Sequence, residues 1–137
     1  MAGYSGTPLA KKLGIVEQPR LIVLSAPWNY ERTLGLPAGK YEYPSRLRRQ
    51  ELFVHLFISQ TRGLRQLGSI NAMLADTGML WVSWPKKASQ IQTDVTEELV
   101  RQAGLRAGLV DVKVCAVDEV WSGLKFVRRI RDRAAGR

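Results

Sequence analysis

The sequence is short of the residues on which redox and metal chemistry depend. Among its 137 residues there is one cysteine, Cys115, and one histidine, His55. A single cysteine excludes an internal disulfide framework and is typical of a reducing compartment, so we expect a cytoplasmic protein. One cysteine and one histidine also argue against a zinc site of the usual ligand type, and we expect no metal.

Long apolar runs are missing as well, and we expect no secretory signal. No run approaches the length of about 18 residues that a membrane-spanning helix needs, so we expect no membrane partner. The first 14 residues contain no apolar stretch of the kind found in secretory signals. A chain of this length is sufficient for one domain and too short for two. We therefore predict a single α/β domain over residues 1–130 and a basic, disordered tail over residues 131–137.

Acidic residues are scarce relative to basic ones. The chain has 12 Asp and Glu against 21 Lys and Arg, which gives a formal net charge of +9. A surface of this kind attracts nucleic acid, acidic lipid or phosphorylated ligands. The positive charge is concentrated near residues 46–49, at Lys86 and Lys87, and in the tail. Two interpretations stay open, namely a solubilising surface or a polyanionic partner.

Hydrophobic periodicity and turn residues predict alternating helices and strands. The predicted elements are a helix over 7–14, a strand over 20–26, one or two helical turns over 29–35, a short strand near Lys40–Tyr43, a strand over 52–59, a helix over 61–75, a strand over 79–84, a helix from 94 to about 107, and two strands within 109–130. Thr7 and a capping box of Asp94 and Glu97 are expected to begin helices, and Gly14 and Gly108 to end them.

The strand types predict the architecture of the sheet. The continuous apolar run over 52–59 is typical of a parallel strand covered on both faces. The last two strands are separated by a predicted turn at Ser122–Gly123, and a connection so short permits only an antiparallel hairpin. We therefore predict an α/β fold: a three-layer Rossmann-like sheet, mostly parallel, closed by a C-terminal antiparallel β-hairpin.

The segments AMLADTG (72–78) and GMLWVSW (78–84), the helix after them and the closing hairpin resemble the second half of a class I methyltransferase. The resemblance covers about residues 50–130 and implies an S-adenosylmethionine-dependent enzyme. The first half departs from that family, which binds its cofactor through a glycine-rich turn after the first strand. Here the corresponding stretch, LSAPWN (24–29), has no glycine, and Pro27 lacks an N–H donor. The family's acidic ribose-binding residue has only Glu42 as a counterpart.

A second resemblance extends over most of the chain. The stretches SGTPLAKKLGI (5–15), GMLWVSWPKKAS (78–89) and LVDVKVCAVDEVWSGLKFV (109–127) resemble a group of short bacterial proteins classed as a domain of unknown function, family 3052. This resemblance implies a bacterial origin and a common fold. It implies no activity, cofactor or catalytic residue.

Ligands of open α/β sheets bind beyond the carboxyl ends of the parallel strands. Three predicted strands are followed there by polar and aromatic residues, and the antiparallel strand begins at the same edge. The candidate ligand-binding residues are Ser25, Trp28, Ser59, Trp84, Lys86, Lys87, Trp121 and Lys125. Aromatic faces beside cations suit a nucleotide, an acidic metabolite or unstacked bases. The alternative is that the tryptophans complete the core and the lysines lie in solvated loops.

Two further residues have side chains that often act in catalysis, but their predicted positions do not favour that role. His55 and Cys115 both lie in the middle of apolar strands, so we expect a hydrogen-bonded core histidine and an inert buried thiol. We assign no catalytic residue and no particular cofactor.

Three functions remain open on the sequence alone. The first is a non-catalytic protein that binds an anionic ligand or partner at the carboxyl edge of the sheet. The second is a methyltransferase relative, and the third is a nonspecific nucleic-acid-binding protein. The oligomeric state is left open, with a dimer as one possibility.

Overall fold

The structure is a computed structural model that describes residues 8–15, 18, 20–37, 41–44 and 46–132. Its helices and strands follow one another along the chain as α1 (Leu9–Leu13), β1 (Ile22–Leu24), α2 (Tyr30–Leu34), β2 (Glu51–Phe57), α3 (Leu67–Met73), β3 (Leu74–Pro85), α4 (Glu97–Arg106), β4 (Leu109–Ala116) and β5 (Trp121–Arg128). Short 3-10 helices cover Thr61–Gln66, Lys87–Ser89 and Ile130–Asp132. The last of these reaches into the predicted tail, whose residues 133–137 lie outside the described part of the chain.

The strands form one sheet in the order β1-β2-β3-β5-β4. β1 pairs with β2 and β2 with β3 in parallel, whereas β5 is antiparallel to both β3 and β4. β4 therefore runs in the same direction as the first three strands, and β5 alone is reversed. The predicted mixed α/β fold, mostly parallel with antiparallel pairing at the C-terminal end, is confirmed.

The sheet has a hydrophobic cluster on each face because successive strand residues point to opposite sides. Along β2, Phe53 and Phe57 belong to the cluster that also holds residues of α1 and α2. Val54 and Leu56 belong to the cluster built with α3 and α4. Burial on both sides explains why this strand is almost continuously apolar. None of the described helices is long and apolar enough to cross a membrane.

The helix ends were predicted in part. Gly14 and Gly108 follow α1 and α4 with φ of +81° and +93°, left-handed values that favour glycine, so both predicted ends are confirmed. The predicted capping box at the start of α4 is wrong. Thr96 is the N-cap, and its Oγ1 accepts a hydrogen bond of 3.2 Å from the backbone N–H of Leu99. The carboxylate of Asp94 makes a tertiary contact instead.

Two predictions near the N-terminus fall partly on residues that are not described. Thr7, expected to cap α1, and Lys40, the expected start of a short strand, lie outside the described residues. Within the predicted strand, Glu42 forms an isolated parallel bridge with Arg20.

The boundary between α3 and β3 differs from the prediction. The predicted helix over 61–75 begins as a 3-10 helix and ends at Met73, and the expected turn at residues 76–78 lies inside β3. β3 takes more residues than β2 between the pairs Glu51–Leu74 and Phe53–Met79, so the ladder is irregular there. A Cβ on Gly78 would lie 2.5 Å from the backbone oxygen of Glu51. This glycine therefore permits a close backbone approach rather than a turn.

The hairpin turn was also misplaced. Ser122 and Gly123 lie in β5, opposite Ala116 and Cys115, and the connection spans residues 117–120. Oδ1 of Asp118 accepts hydrogen bonds from the backbone N–H groups of Val120 (2.8 Å) and Trp121 (2.7 Å). An aspartate that bonds the backbone two or three residues ahead can form a turn without glycine.

A buried ion pair fastens the start of β2. Glu51 is 2% exposed and accepts hydrogen bonds from Arg20 Nε (3.0 Å) and Arg20 Nη2 (2.9 Å). The backbone N–H of Arg48 donates a third, of 2.8 Å. Burial alone would raise the pKa of the Glu51 carboxyl, but these hydrogen bonds and the two arginine charges together hold that pKa below its ordinary 4.5.

We expect the Glu51 ion pair to make stability depend on acid pH. Because the folded pKa lies below the unfolded pKa, the stabilisation is complete above about 4.5 and is lost as the pH falls through the folded value. Urea unfolding at a series of pH values measures this, and Glu51→Gln should lose less stability over that interval than the parent protein. Identical pH profiles for the two proteins would contradict the assignment.

Candidate functional site

A groove lies at the carboxyl edge of the parallel strands, where β5 begins. Two adjoining clefts of about 340 and 410 Å³ share Ser59, Gln60 and Arg62, and we call them together the rim groove. The smaller cleft is also lined by Ser25, Phe57, Ile58, Gly63, Gln66 and Trp121. The larger is also lined by Thr61, Gln92, Thr93 and Asp94. This is the edge at which open α/β sheets bind ligands.

Ser25 gives the turn after β1 an uncommon backbone conformation. Its φ is +59°, in the left-handed region that non-glycine residues rarely adopt. Residues held in this region cost about 1–3 kcal/mol and cluster at ligand-binding sites. The turn that lacks glycine in the sequence therefore still adopts a glycine-type conformation, at the position where the methyltransferase family has its glycine-rich turn.

Thr61 and Asp94 connect the two sides of the larger cleft. The backbone N–H of Thr61 donates to Asp94 Oδ1 (2.9 Å), and Thr61 Oγ1 donates to Asp94 Oδ2 (3.0 Å). These two hydrogen bonds hold the pKa of the Asp94 carboxyl below its usual range. They also fix the segment before α4 against the start of the 3-10 helix over Thr61–Gln66.

Arg62 supplies the positive charge of the rim groove. It lines both clefts and is exposed, and it forms no ion pair with any residue that the structure describes. The other residues that line the smaller cleft are uncharged. An anionic group placed between Ser25 and Ser59 would therefore have a guanidinium within the same cleft.

Trp121 forms an aromatic wall of the smaller cleft. It is half-buried, and its ring meets Phe57 edge-on with centroids 5.1 Å apart. Phe57 in turn stacks on His55 with centroids 4.3 Å apart. Packing against these rings of β2 restricts the Trp121 side chain. A ligand that binds against it would therefore have less side-chain conformational entropy to overcome.

The structure brings three predicted site residues together and separates the others. Ser25, Ser59 and Trp121 all line the smaller cleft. Trp84 is only 5% exposed and belongs to the core cluster with α3 and α4, because residues 80, 82 and 84 of β3 face that side. For Trp84 the alternative interpretation, a core side chain, fits the observed burial.

The predicted lysines lie outside the rim groove. Lys86 and Lys87 follow β3 at the same edge but line neither cleft, and the backbone N–H of Lys86 donates to the oxygen of Val120 (2.7 Å). Lys125 lies within β5, directly opposite Trp81 and well away from the edge. Arg62, three residues after the predicted site residue Ser59, was missed. The sequence around it gives no signal that its side chain lies at the edge of the sheet.

Trp28 lies in a separate cleft on the other side of the turn after β1. This cleft of about 430 Å³ is also lined by Val23, Ala26, Asn29, Tyr30, Glu31, Arg32 and Tyr43. Trp28 is 88% exposed, and the guanidinium of Arg32 lies 5.9 Å from its ring centroid. The Tyr43 hydroxyl donates to Glu31 Oε2 at 2.7 Å.

His55 is part of a buried polar chain. It is 0% exposed, and its ring nitrogens share hydrogen bonds with the Tyr30 hydroxyl (Nδ1, 3.0 Å) and with Ser83 Oγ (Nε2, 2.8 Å). Burial lowers the pKa of His55 to about 3, so the ring is neutral at physiological pH. The predicted hydrogen-bonded core histidine is confirmed.

Cys115 is less buried than predicted, although it packs against the cluster that holds residues of α1 and α2. Its side chain is partly exposed, because β4 is the last strand in the sheet order and has a neighbour on one side only. Among the described residues, no group of three or more His, Cys, Asp or Glu side chains is placed to hold a metal ion.

The chain is similar in fold to several solved structures, among them a complex with SAM and a candidate methyltransferase. LepI in complex with SAM is 14% identical with a TM-score of 0.52, and the match covers 88% of this chain and 39% of that one. A structure described as a pericyclic reaction enzyme is 13% identical with a TM-score of 0.51 and the same coverage. A candidate methyltransferase from Thermoplasma acidophilum is 9% identical with a TM-score of 0.50, covering 90% of this chain and 65% of that one.

These comparisons establish a methyltransferase-like fold. Because the matches cover 88–90% of this chain, the likeness extends beyond residues 50–130, where the sequence showed it. The chain spans less than two thirds of the length of these neighbours. Neither a protein-family model nor a curated protein matches the chain, so the resemblance to family 3052 is not confirmed.

Proposed function

We propose that the protein binds a small, polar, anionic ligand in the rim groove, and that it acts by binding rather than by catalysis. The observation that carries the proposal is the arrangement of Ser25, Ser59 and Trp121 around Arg62 at the carboxyl edge of the sheet. Serine hydroxyls and an arginine suit a carboxylate or a phosphate, and the indole offers a face or edge to a planar ring.

The ionisable groups near the groove favour binding over acid–base chemistry. Both oxygens of Asp94 already accept hydrogen bonds from Thr61, and these bonds favour its ionised form. His55 is fully buried beneath Phe57, and its two nitrogens are engaged by Tyr30 and Ser83. A general base must reach the proton that it removes, and neither group is placed to do so for a ligand in the smaller cleft.

Methyl transfer from S-adenosylmethionine is the second candidate function. It is favoured by the fold, by the LepI–SAM complex among the neighbours and by the left-handed backbone at Ser25. The acidic residue expected to hold the ribose is misplaced, however. Glu42 bridges Arg20, before β1, whereas the groove lies after β1 at Ser25. The five-residue step from Arg20 to Ser25 spans roughly 16 Å of extended chain, so Glu42 lies at the opposite end of β1 from the groove.

Calorimetric titration with adenosine monophosphate (AMP) and with S-adenosylhomocysteine tests the two candidates. We expect AMP to bind, and Arg62→Gln to weaken its binding about tenfold, since a hydrogen bond to a charged group contributes about 1.5–3 kcal/mol. The matched control is Arg65→Gln, an exposed arginine of the same 3-10 helix that lines a different cleft.

Two outcomes would count against the proposal. Equal affinity for AMP in Arg62→Gln and Arg65→Gln would exclude the rim groove as the anion site. Micromolar binding of S-adenosylhomocysteine without measurable binding of AMP would favour the methyltransferase alternative.

A further inference from the structure

Two lysines face each other across the C-terminal hairpin. Lys113 of β4 is the register partner of Lys125 of β5, and Lys125 is also opposite Trp81 of β3. Opposed residues of antiparallel strands lie on the same face with Cβ atoms about 4.5–5.5 Å apart. Trp81 belongs to the cluster with α1 and α2, so this lysine pair lies on the α1 side of the sheet.

A β-bulge creates the pair. Val110 and Asp111 are opposite Val127 and Phe126, and a regular ladder would then place Lys113 opposite Leu124, on the α4 side. The register shifts between Asp111 and Lys113 instead, which turns Lys113 to the α1 side and places it opposite Lys125. Bulges that redirect a side chain in this way are frequent beside functional sites.

The electrostatics of the pair are unfavourable without a counter-ion. Like charges directly opposite each other on neighbouring strands are destabilising. Burial lowers the pKa of the Lys125 ammonium, and the charge of Lys113 lowers it further. Within the described part of the chain, neither lysine forms a salt bridge or a hydrogen bond through its side chain.

The surroundings add positive charge on one side. The indole Nε1 of Trp81 donates to the backbone oxygen of Leu13 at 2.9 Å, so the last turn of α1 lies over the β3 neighbour of Lys125. That turn carries Lys11 and Lys12. α1 therefore brings two further lysines to this face of the sheet.

We propose that Lys113 and Lys125 form a binding site for a phosphate group of a small phosphorylated ligand, separate from the rim groove. Two lysines directly opposed on adjacent strands can both reach one phosphate group, and their two charges suit a dianion. The adjacent pairs on the same face, Val110–Val127 and Cys115–Gly123, carry no charge. The cations therefore do not continue along the strands as binding of a nucleic-acid backbone would require.

Titration with inorganic pyrophosphate tests the site. We expect Lys113→Met and Lys125→Met each to weaken binding tenfold or more, and Lys87→Met, a lysine outside the pair, to leave the affinity unchanged. We also expect Lys113→Met to raise the melting temperature of the ligand-free protein, because it removes the like-charge contact. Lys113 is exposed, so this variant should fold even if Lys125→Met does not.

Three results would overturn the proposal. One is unchanged pyrophosphate affinity in Lys113→Met, and another is the absence of pyrophosphate binding to the parent protein at millimolar concentration. The third is binding of an oligonucleotide without terminal phosphates that requires both lysines, with no binding of pyrophosphate. Neither lysine lines the rim groove, so failure of this test leaves the AMP titration unaffected.

Discussion

Replacing Trp81 with alanine is expected to lower the free energy of unfolding by about 3–5 kcal/mol. Trp81 is 0% exposed and is the largest fully buried side chain among the described residues. Its indole also connects β3 to α1 through the hydrogen bond to Leu13. Truncation would leave a cavity between sheet and helix and one buried carbonyl without its donor. Urea unfolding monitored by circular dichroism measures the loss.

Trp28→Ala is the matched control for Trp81. Trp28 is 88% exposed, so its removal should change stability by no more than about 0.5 kcal/mol. Similar losses for the two variants would mean that the packing of α1 against β3 is not as described.

His55→Leu is expected to cost about 2–4 kcal/mol at neutral pH. The substitution places an apolar side chain in β2 and leaves the Tyr30 hydroxyl and Ser83 Oγ without their partner. A buried unsatisfied polar group costs about 1–3 kcal/mol. His55→Gln is the control, because it retains hydrogen-bonding capacity and should lose less. Chemical denaturation at pH 7.5 measures both variants, and equal stability of His55→Leu and the parent protein would contradict the network.

The same histidine predicts a second pH dependence. Burial depresses the pKa of His55 from 6.5 to about 3, so the unfolded chain takes up a proton before the folded chain does. The stabilisation is complete above 6.5 and is lost as the pH falls towards 3, by at most about 1.4 kcal/mol per pH unit. Both His55 variants should lack this loss. As the pH falls, the loss caused by His55 begins near 6.5 and the loss caused by the Glu51 ion pair begins near 4.5, so the two effects can be separated.

β2 was the most predictable part of the fold. The apolar run over 52–59 was predicted as a parallel strand buried on both faces, and β2 covers Glu51–Phe57 between two parallel neighbours. His55 was predicted to be in the core for the same reason. Burial on both faces leaves a strong local signature, because nearly every residue of such a strand must be apolar.

Positions that depend on register were not predictable. Trp81 and Trp84 lie three residues apart on one strand and face opposite sides of the sheet, and Trp28 is exposed. The bulge before Lys113 shifts the pairing by one residue, which decides the face on which that lysine lies. The sequence contains no signal for such a shift, since it arises from tertiary pairing. Of the predicted site residues, Ser25, Ser59 and Trp121 therefore line one cleft, whereas the others lie elsewhere in the fold.

The turn after β1 shows how a missing motif can mislead. The absence of glycine in LSAPWN marked a departure from the cofactor-binding turn of methyltransferases, yet Ser25 has a φ of +59° and lines the rim groove. The lack of glycine makes a left-handed conformation costly but does not exclude it, because the surrounding fold can impose it.

Mapping backbone amide chemical shifts during titration with AMP tests the rim groove most directly. Our account predicts that the largest changes occur at Ser25, at residues 59–62 and at Trp121, and that Arg62→Gln reduces them. Changes confined to the Trp28 cleft or to the lysine pair, or no change at millimolar AMP, would contradict the proposal that the rim groove is the ligand site.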